Sequence, residues 1–456
     1  MNAYNDKSNL LTSPIGKTLI RMATPNIIAM FIMQSAVIFE VWYVGQLGIN
    51  ALAGLTLVFP IIMINLMLSG GSIGGAISGI IAQKLGAGDR VEAERLSLHA
   101  IILSISIGVI LQFLFLYGGS WFYSLLGGKG IVLEQALEYS NMFFYGCIGV
   151  WLANILSAIV RATGHMNVAA IGFVSVAICQ VFFSGVFVFG LGPFPKLGIA
   201  GAALGIVIGH TFSIIIYLYF LIIQCPELRL NFRGIRIRFE TIIYLLKLSA
   251  LSSVSPITSI GVVIIITSYM AFLGPEYLAG YGIGVRLEFI LIPLIFGFGS
   301  ASITMIGIHF GAQKYTRGLR VGWIAAGFSF IISGIIGIVV SLFPYIWTDL
   351  FYNNESVTLI CKLYLQIVGP FYAFFGLGQA LYFASQGAGK MQWPVIASLI
   401  RFTTIFLGTL YLSYINSFSV VAIFWLISLS LFLYALVTTI AIWKGAWNKD
   451  NLISIK

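Results

Sequence analysis

Residues 47–54 read LGINALAG, and residues 273–280 read LGPEYLAG, with leucine, alanine and glycine at matching positions. The second segment follows the first after 226 residues (273 minus 47), which is close to half of the 456-residue chain. Two more pairs of segments match in the same register: GAGD at 86–89 with GAQK at 311–314, and ATGHM at 162–166 with AGKM at 388–391. Three matches in one register indicate an internal duplication, and they predict a fold built from two similar halves.

The composition is that of a membrane protein. Hydrophobic residues make up 59% of the chain and charged residues only 8%, whereas soluble domains contain about 25% charged residues. The alternating pattern of outer-membrane strands is absent, so we expect an all-α fold. Apolar runs long enough to span a bilayer predict twelve transmembrane helices, near 17–44, 50–83, 97–118, 134–161, 167–190, 198–224, 241–272, 277–310, 319–345, 357–386, 393–414 and 417–443.

The repeat divides these spans into two six-helix lobes. We expect the N-terminal lobe at 1–225, a basic cytoplasmic linker at 226–240, and the C-terminal lobe at 241–456. Since six is an even number, both lobes enter the membrane from the same side. This predicts a pseudo-two-fold axis along the membrane normal, as in transporters with parallel repeats.

The basic residues indicate the orientation in the membrane. If the N-terminus is cytoplasmic, the cytoplasmic segments and helix ends hold 20 of the 24 Lys and Arg residues, as the positive-inside rule requires. We therefore expect a multi-pass protein of the inner cell membrane with both termini in the cytoplasm. The net charge of +10 reflects this topology, so the lipid bilayer is an expected partner and nucleic acid is not.

The chain shows no pattern typical of an enzyme, a metal site or a cofactor site. None of the four cysteines forms a CxxC pair, and no carboxylate lies at ligand spacing from His165. Residues 16–18 read GKT, the end of a phosphate-binding loop, but Leu11 stands where that loop needs a glycine. We therefore expect no enzymatic activity, no metal and no cofactor. The driving force should be an ion gradient.

Glu40 is the most informative single residue, because apolar residues surround it over about two helical turns. A charge at the bilayer centre costs roughly 2.5–3.5 kcal/mol on insertion scales, so such residues are rare and usually functional. Gln180 and Ser184 are four residues apart in the fifth span and share a helix face. Together with Asn154 of the fourth span, they and Glu40 are the candidate ion-coupling residues. Helix packing is the alternative role for the three uncharged residues.

Two further pairs of residues are candidates for function. Arg286 and Glu288 lie inside the eighth span and form a candidate second polar site; being two residues apart, they face different sides of the helix. A structural hydrogen bond or a salt bridge to a neighbouring helix is the alternative. Pro60 and Pro293 lie in the second and eighth spans and are candidate hinges, because proline removes a backbone hydrogen bond and permits a kink.

Four motifs occur in order along the chain: EVWYVGQLG at 40–48, RATG at 161–164, PKLGIAGAA at 195–203, and YGIGVR at 281–286 continuing to GAQ at 311–313. Together they resemble the multidrug and toxic compound extrusion (MATE) family, and more closely its prokaryotic DinF-like branch. The resemblance covers nearly the whole chain, including the plan of twelve spans in two lobes.

The resemblance implies an antiporter that exports small organic compounds, often cationic and amphipathic, by rocker-switch alternating access. It also implies that Glu40 is the ion-coupling residue. Relatives carry Asp at this position and an N-x-x-x-D pair in the fifth span, where this sequence has Gln180 and Ser184. A lone carboxylate in a low dielectric favours its protonated form, so we favour H⁺ as the coupling ion. The alternative is Na⁺, bound by oxygens of Glu40, Gln180, Ser184 and Asn154.

Other functions remain open. A transporter of the same superfamily could export lipid-linked precursors or other anionic substrates, which would require several basic residues in its cleft. A channel or a non-transporting membrane protein explains the duplication and the buried acid less well. On either transport hypothesis, the expected partners are small-molecule substrates, and the chain is expected to act as a monomer.

Overall fold

A computed structural model of the protein describes residues 10–230, 237–350, 355–415 and 419–448. These residues form helices joined by short turns, and none of them forms a strand. Eleven helices are long and apolar enough to cross a membrane. Two shorter helices, Gly130–Tyr145 and Cys147–Ala162, meet at a bend of 52° and together make a twelfth span. The prediction of an all-α protein with twelve spans is therefore confirmed, with one span broken.

The described residues of the first half include seven helices of sixteen residues or more, of which the fourth and fifth are the bent pair. A side chain on Gly146, at the bend, would overlap Val207. Two stretches are π-helical, Met67–Ile73 within the second helix and Phe220–Gln224 at the end of the seventh. The helices are α1 (Ile15–Gly45), α2 (Ile49–Gly86), α3 (Arg90–Leu125), α4 (Gly130–Tyr145), α5 (Cys147–Ala162), α6 (Met166–Phe189) and α7 (Ile199–Gln224).

The second half of the chain contains six long helices. A single helical turn, Tyr345–Thr348, precedes the fourth of them, and a 3₁₀ turn at Gly369–Phe371 interrupts that helix. The six are α8 (Phe239–Leu273), α9 (Pro275–Gly311), α10 (Tyr315–Leu342), α11 (Glu355–Ala388), α12 (Gln392–Tyr414) and α13 (Val420–Trp443).

The helices gather into two compact units. Among the described residues, one unit comprises 24–230 and 237–249, and the other comprises 10–23 together with those from 250 onward. The first turns of α1 therefore group with the second unit, whereas the rest of α1, including Glu40, belongs to the first. Part of the predicted linker, 231–236, lies outside the described residues. The lobe limits set from the sequence stay a prediction.

The duplicated segments coincide with helix boundaries. Gly48 and Gly274 precede α2 and α9, with φ angles of 113° and 138°. Gly88 and Gln313 follow the same two helices, and both adopt positive φ, at 80° and 59°. Gln313 is the one non-glycine residue with positive φ in the described part of the chain.

The turns that contain Gly88 and Gln313 share their backbone hydrogen bonds. The amide of Asp89 donates to a carbonyl five residues earlier at 3.0 Å, and the amide of Lys314 does the same at 2.8 Å. The two halves of the sequence therefore follow the same backbone path at this turn.

The two candidate hinge prolines lie within long helices. Pro60 is an exposed residue of α2 that precedes the π-helical stretch Met67–Ile73, and Pro293 is buried within α9. Their role as hinges stays a prediction.

Candidate functional site

The carboxyl group of Glu40 is enclosed by three helices of the first unit. Glu40 lies near the end of α1 and is only 5% exposed. The hydroxyl of Tyr139, from α4, donates a hydrogen bond to its Oε1. The side-chain amide of Gln180, from α6, donates to its Oε2 at 2.9 Å. Each carboxyl oxygen thus accepts one hydrogen bond from a different neighbouring helix.

Close packing of α6 against α7 fixes the position of Gln180. A Cβ on Gly209 of α7 would lie 2.7 Å from the carbonyl oxygen of Val176, and a Cβ on Gly205 would lie 3.0 Å from that of Gln180. Only glycine allows two backbones to approach this closely. Because α6 is held in this way, the Gln180 side chain is buried and directed at Glu40.

Ser184 takes part in the packing of α6 on α7. Its hydroxyl is fully buried and donates to the carbonyl oxygen of Ala202, in α7, at 2.9 Å. Ser184 lies one helical turn from Gln180, but its described hydrogen bond is to the backbone of α7 and not to Glu40.

Asn154 belongs to a second polar network, between α5 and α2. Its side-chain amide donates to the hydroxyl of Ser69 at 2.9 Å, within the π-helical stretch Met67–Ile73. In the same network the indole of Trp151 donates to the side-chain oxygen of Asn65 at 2.5 Å. Of the three uncharged residues grouped with Glu40 on sequence, Gln180 alone is joined to it by a described hydrogen bond. The ion-coupling role of all four stays a prediction.

Both described hydrogen-bond partners of Glu40 are neutral. The ion pairs found in the described part of the chain lie on α3, where Arg90 meets Glu94 at 2.9 Å and Arg95 meets Glu92 at 3.1 Å. A buried carboxylate without a counter-ion is costly, and proton uptake removes its charge. The site is therefore suited to bind and release a proton.

Tyr139 was not identified from the sequence. It is one of 21 tyrosines, and nothing in its immediate neighbours marks it as a partner of an acid. The one available signal is the repeat register, because Tyr364 lies 225 residues later (364 minus 139) and contacts a second, partly buried acid.

That second acid, Glu288, is held in the second unit. The hydroxyl of Tyr364, from α11, donates to its Oε1 at 2.8 Å, and the hydroxyl of Tyr372 lies 3.5 Å from that of Tyr364. Arg286 is exposed on α9. Glu288 therefore makes a structural hydrogen bond to a neighbouring helix, which was one alternative to a functional role. Its role in a second polar site stays a prediction.

Two arginines, Arg161 and Arg401, are buried within helices. Arg161 donates to the hydroxyl of Ser157 at 2.7 Å. Arg401, in α12, is 8% exposed, and its guanidinium carbon lies 5.8 Å from the ring centre of Phe375 and 6.0 Å from that of Tyr434. The Nε of Arg401 is buried and has no hydrogen-bond partner among the described residues.

An apolar groove of about 600 Å³ lies between α1 and α6, the two helices that carry Glu40 and Gln180. Phe39 and Tyr43 contribute to its α1 wall, and Phe182 and Phe189 contribute to its α6 wall. The rings of Tyr43 and Phe189 meet edge to face, with centroids 5.7 Å apart. The groove therefore offers aromatic surface on the same two helices that hold Glu40 and Gln180.

Comparisons with known proteins agree with this arrangement. The family model described as MatE matches residues 25–186 and 252–412, one segment in each half of the chain. The chain is 24% identical to the FAD transporter of Shewanella oneidensis over 82% of both proteins. It is also 24% identical to the probable multidrug resistance protein NorM of Thermotoga maritima, over 86% of this chain and 84% of that protein.

Solved structures share the fold. A MOP superfamily transporter from Pyrococcus furiosus superposes with a TM-score of 0.87 at 20% identity, covering 96% of this chain and 97% of the other. A multidrug resistance MATE family transporter in an outward-facing conformation gives the same TM-score, identity and coverage. Because the family model covers more than half of the chain and matches both halves, the chain belongs to the MatE (MATE) family of membrane transporters.

Proposed function

We propose that the protein is a proton-coupled antiporter that exports small organic compounds, with Glu40 as the group that binds and releases the proton. The observation that carries this proposal is the burial of Glu40 in a membrane-spanning helix with neutral described hydrogen-bond partners. The protein would lie in the inner membrane as a monomer, with both termini in the cytoplasm. Transport would follow rocker-switch alternating access.

The two partners of Glu40 favour a proton over Na⁺. A phenol hydroxyl and a carboxamide can each donate or accept a hydrogen bond, so Tyr139 and Gln180 can serve both protonation states of the acid. A Na⁺ ion would instead need several oxygen ligands. Ser184 and Asn154, which could have supplied them, are hydrogen bonded to other groups.

The chemistry of the groove supports an amphipathic cation as the substrate. Its aromatic walls suit an apolar, cationic compound, and the negative charge of unprotonated Glu40 would favour it electrostatically. Protonation of Glu40 removes that charge, so by linkage the proton and the substrate weaken each other's binding. An inward proton gradient would thereby drive substrate release on the outside.

Efflux from proteoliposomes tests this proposal. The wild-type protein should transport cationic dyes when a pH gradient is imposed, and Glu40→Gln should lose at least nine-tenths of this activity (tenfold corresponds to about 1.4 kcal/mol). Glu288→Gln, the same substitution at the partly buried acid of the second unit, is the matched control and should retain transport. If a Na⁺ gradient alone drives wild-type efflux at equal pH on both sides, proton coupling is wrong.

A second candidate function is export of an anionic compound, including a lipid-linked precursor. It is favoured by Arg401, whose buried Nε has no described partner and whose guanidinium lies near two aromatic rings. One relative is named an FAD transporter, and FAD is an anionic aromatic molecule. If the same vesicles transport FAD and reject cationic dyes, and Arg401→Gln abolishes FAD transport, this function replaces the first.

A further inference from the structure

Three metal-ligating side chains meet at one end of the first unit, at the level where α5 passes into α6 and α7 ends. His165 precedes α6, and Cys225 and Glu227 follow the π-helical end of α7. One potential ligand atom from each lies within 4.8 Å of the other two. Cys225 is buried, and the other two side chains are partly buried. This cluster has no part in the site around Glu40.

The spacing of Cys225 and Glu227 already fits a zinc-like ion. Their Sγ and Oε2 atoms are 3.6 Å apart. With typical bond lengths of about 2.3 Å to sulfur and about 2.1 Å to oxygen, a tetrahedral Zn²⁺ ion holds these two atoms about 3.6 Å apart. The ring nitrogen of His165 lies within 4.8 Å of both atoms. A tetrahedral ion holds nitrogen and oxygen ligands about 3.4 Å apart, so this nitrogen must move closer by at most about 1.4 Å (4.8 minus 3.4).

The hydrogen bonds around His165 leave one ring nitrogen free to coordinate. The hydroxyl of Thr163 donates its proton to the carbonyl oxygen of Val160 at 2.8 Å. That hydroxyl oxygen also lies 3.0 Å from Nδ1 of His165 and can accept a hydrogen bond from it. In the tautomer that makes this bond, the lone pair of the neutral imidazole is on Nε2. A metal-binding histidine usually has its other nitrogen fixed by such a bond.

The backbone holds the other two ligands in place. The amide of Cys225 donates to the carbonyl of Phe220 at 2.8 Å, and the amide of Leu230 donates to that of Leu221 at 3.2 Å. The segment from Cys225 to Leu230 therefore folds back on the end of α7. It is a fixed turn that carries both a thiol and a carboxylate.

We propose that His165 Nε2, Cys225 Sγ and a carboxylate oxygen of Glu227 bind a divalent cation of the zinc class. Nitrogen, sulfur and oxygen ligands together select such ions over Mg²⁺ and Ca²⁺, which prefer oxygen alone. Three protein ligands leave a fourth position for water. The bound ion would join the turn between α5 and α6 to the start of the connection between the two halves.

The test is metal binding by the purified full-length protein without an affinity tag. One Zn²⁺ or Co²⁺ should bind per chain, and Co²⁺ should give the absorption of a thiolate complex. Cys225→Ser should abolish this absorption and weaken binding at least tenfold, whereas Cys179→Ser, a cysteine within α6, should change neither. Thr163→Val, which removes the partner of Nδ1, should weaken binding about 10- to 100-fold.

Glu227→Gln keeps the proposal testable if the change at the buried Cys225 prevents folding. It alters a partly buried side chain and should also weaken binding at least tenfold in a protein whose helical circular dichroism is unchanged. The proposal is wrong if the folded wild type binds no stoichiometric Zn²⁺, if Glu227→Gln binds as tightly as wild type, or if Mg²⁺ competes at equal concentration.

Discussion

Replacing Tyr139 with Phe would remove the hydroxyl that donates to Glu40 and leave the aromatic ring in place. A hydrogen bond to a charged group contributes about 1.5–3 kcal/mol. The ionised carboxyl group loses this stabilisation, whereas its protonated form loses much less, so protonation becomes easier. Because about 1.4 kcal/mol corresponds to a tenfold change, the proton affinity of Glu40 should rise about 10- to 100-fold.

The expected consequence is a shift in the pH dependence of substrate binding. If the substrate is cationic and binds best to unprotonated Glu40, the midpoint of binding should move to higher pH by about one to two units in Tyr139→Phe. The assay is equilibrium binding of a fluorescent cationic substrate to the purified protein over a pH series. Near the wild-type midpoint, the variant should therefore bind less substrate.

Tyr364→Phe is the matched control, because it removes the corresponding hydroxyl from Glu288 in the second unit. Its midpoint should equal that of the wild type. The reasoning is refuted if a folded Tyr139→Phe protein keeps the wild-type midpoint, or if Tyr364→Phe shifts it equally.

Two further predictions concern the packing of α6 on α7. Gly205→Ala should lower the free energy of unfolding by about 1–3 kcal/mol, because the new Cβ would overlap the hydroxyl of Ser184 and lie 2.6 Å from its amide nitrogen. Thermal unfolding in detergent measures this change. Gly149→Ala is the neutral control, because the atom nearest to its new Cβ would be 3.9 Å away. Ser184→Ala should cost about 1 kcal/mol through the lost hydrogen bond yet leave the pH profile of dye efflux unchanged, and a shifted profile would contradict the packing role of Ser184.

The fold could be predicted from the sequence because the membrane restricts the alternatives. Every backbone group must be paired within a span, so apolar runs of sufficient length are enough to locate the helices. The repeat then divides them into halves. The bend at Gly146 and the π-helical stretches Met67–Ile73 and Phe220–Gln224 could not be predicted, because hydropathy locates a span but does not report its internal geometry.

The candidate site was predictable only in part. Glu40 stands out because a lone acid in an apolar run is rare. Gln180 is hydrogen bonded to it in the structure, whereas the ion-coupling role of both residues stays a prediction. Ser184 shares a helix face with Gln180, but helical periodicity does not say that α7 lies close enough to accept its hydrogen bond. Nothing beside Tyr139 marks it in the sequence, because a tyrosine in a membrane helix is usually part of the packing; the repeat register with Tyr364 is its one signal.

The turns at Gly88 and Gln313 bear on how easily each half opens locally. Both turns have the same amide hydrogen bonds, but a side chain in the left-handed region costs about 1–2 kcal/mol, which glycine does not incur. Such a difference corresponds to a factor of roughly 5–30 in an opening equilibrium. The amide of Lys314 should therefore exchange with deuterium faster than that of Asp89. The duplication kept the backbone path but left the second turn the easier of the two to unfold.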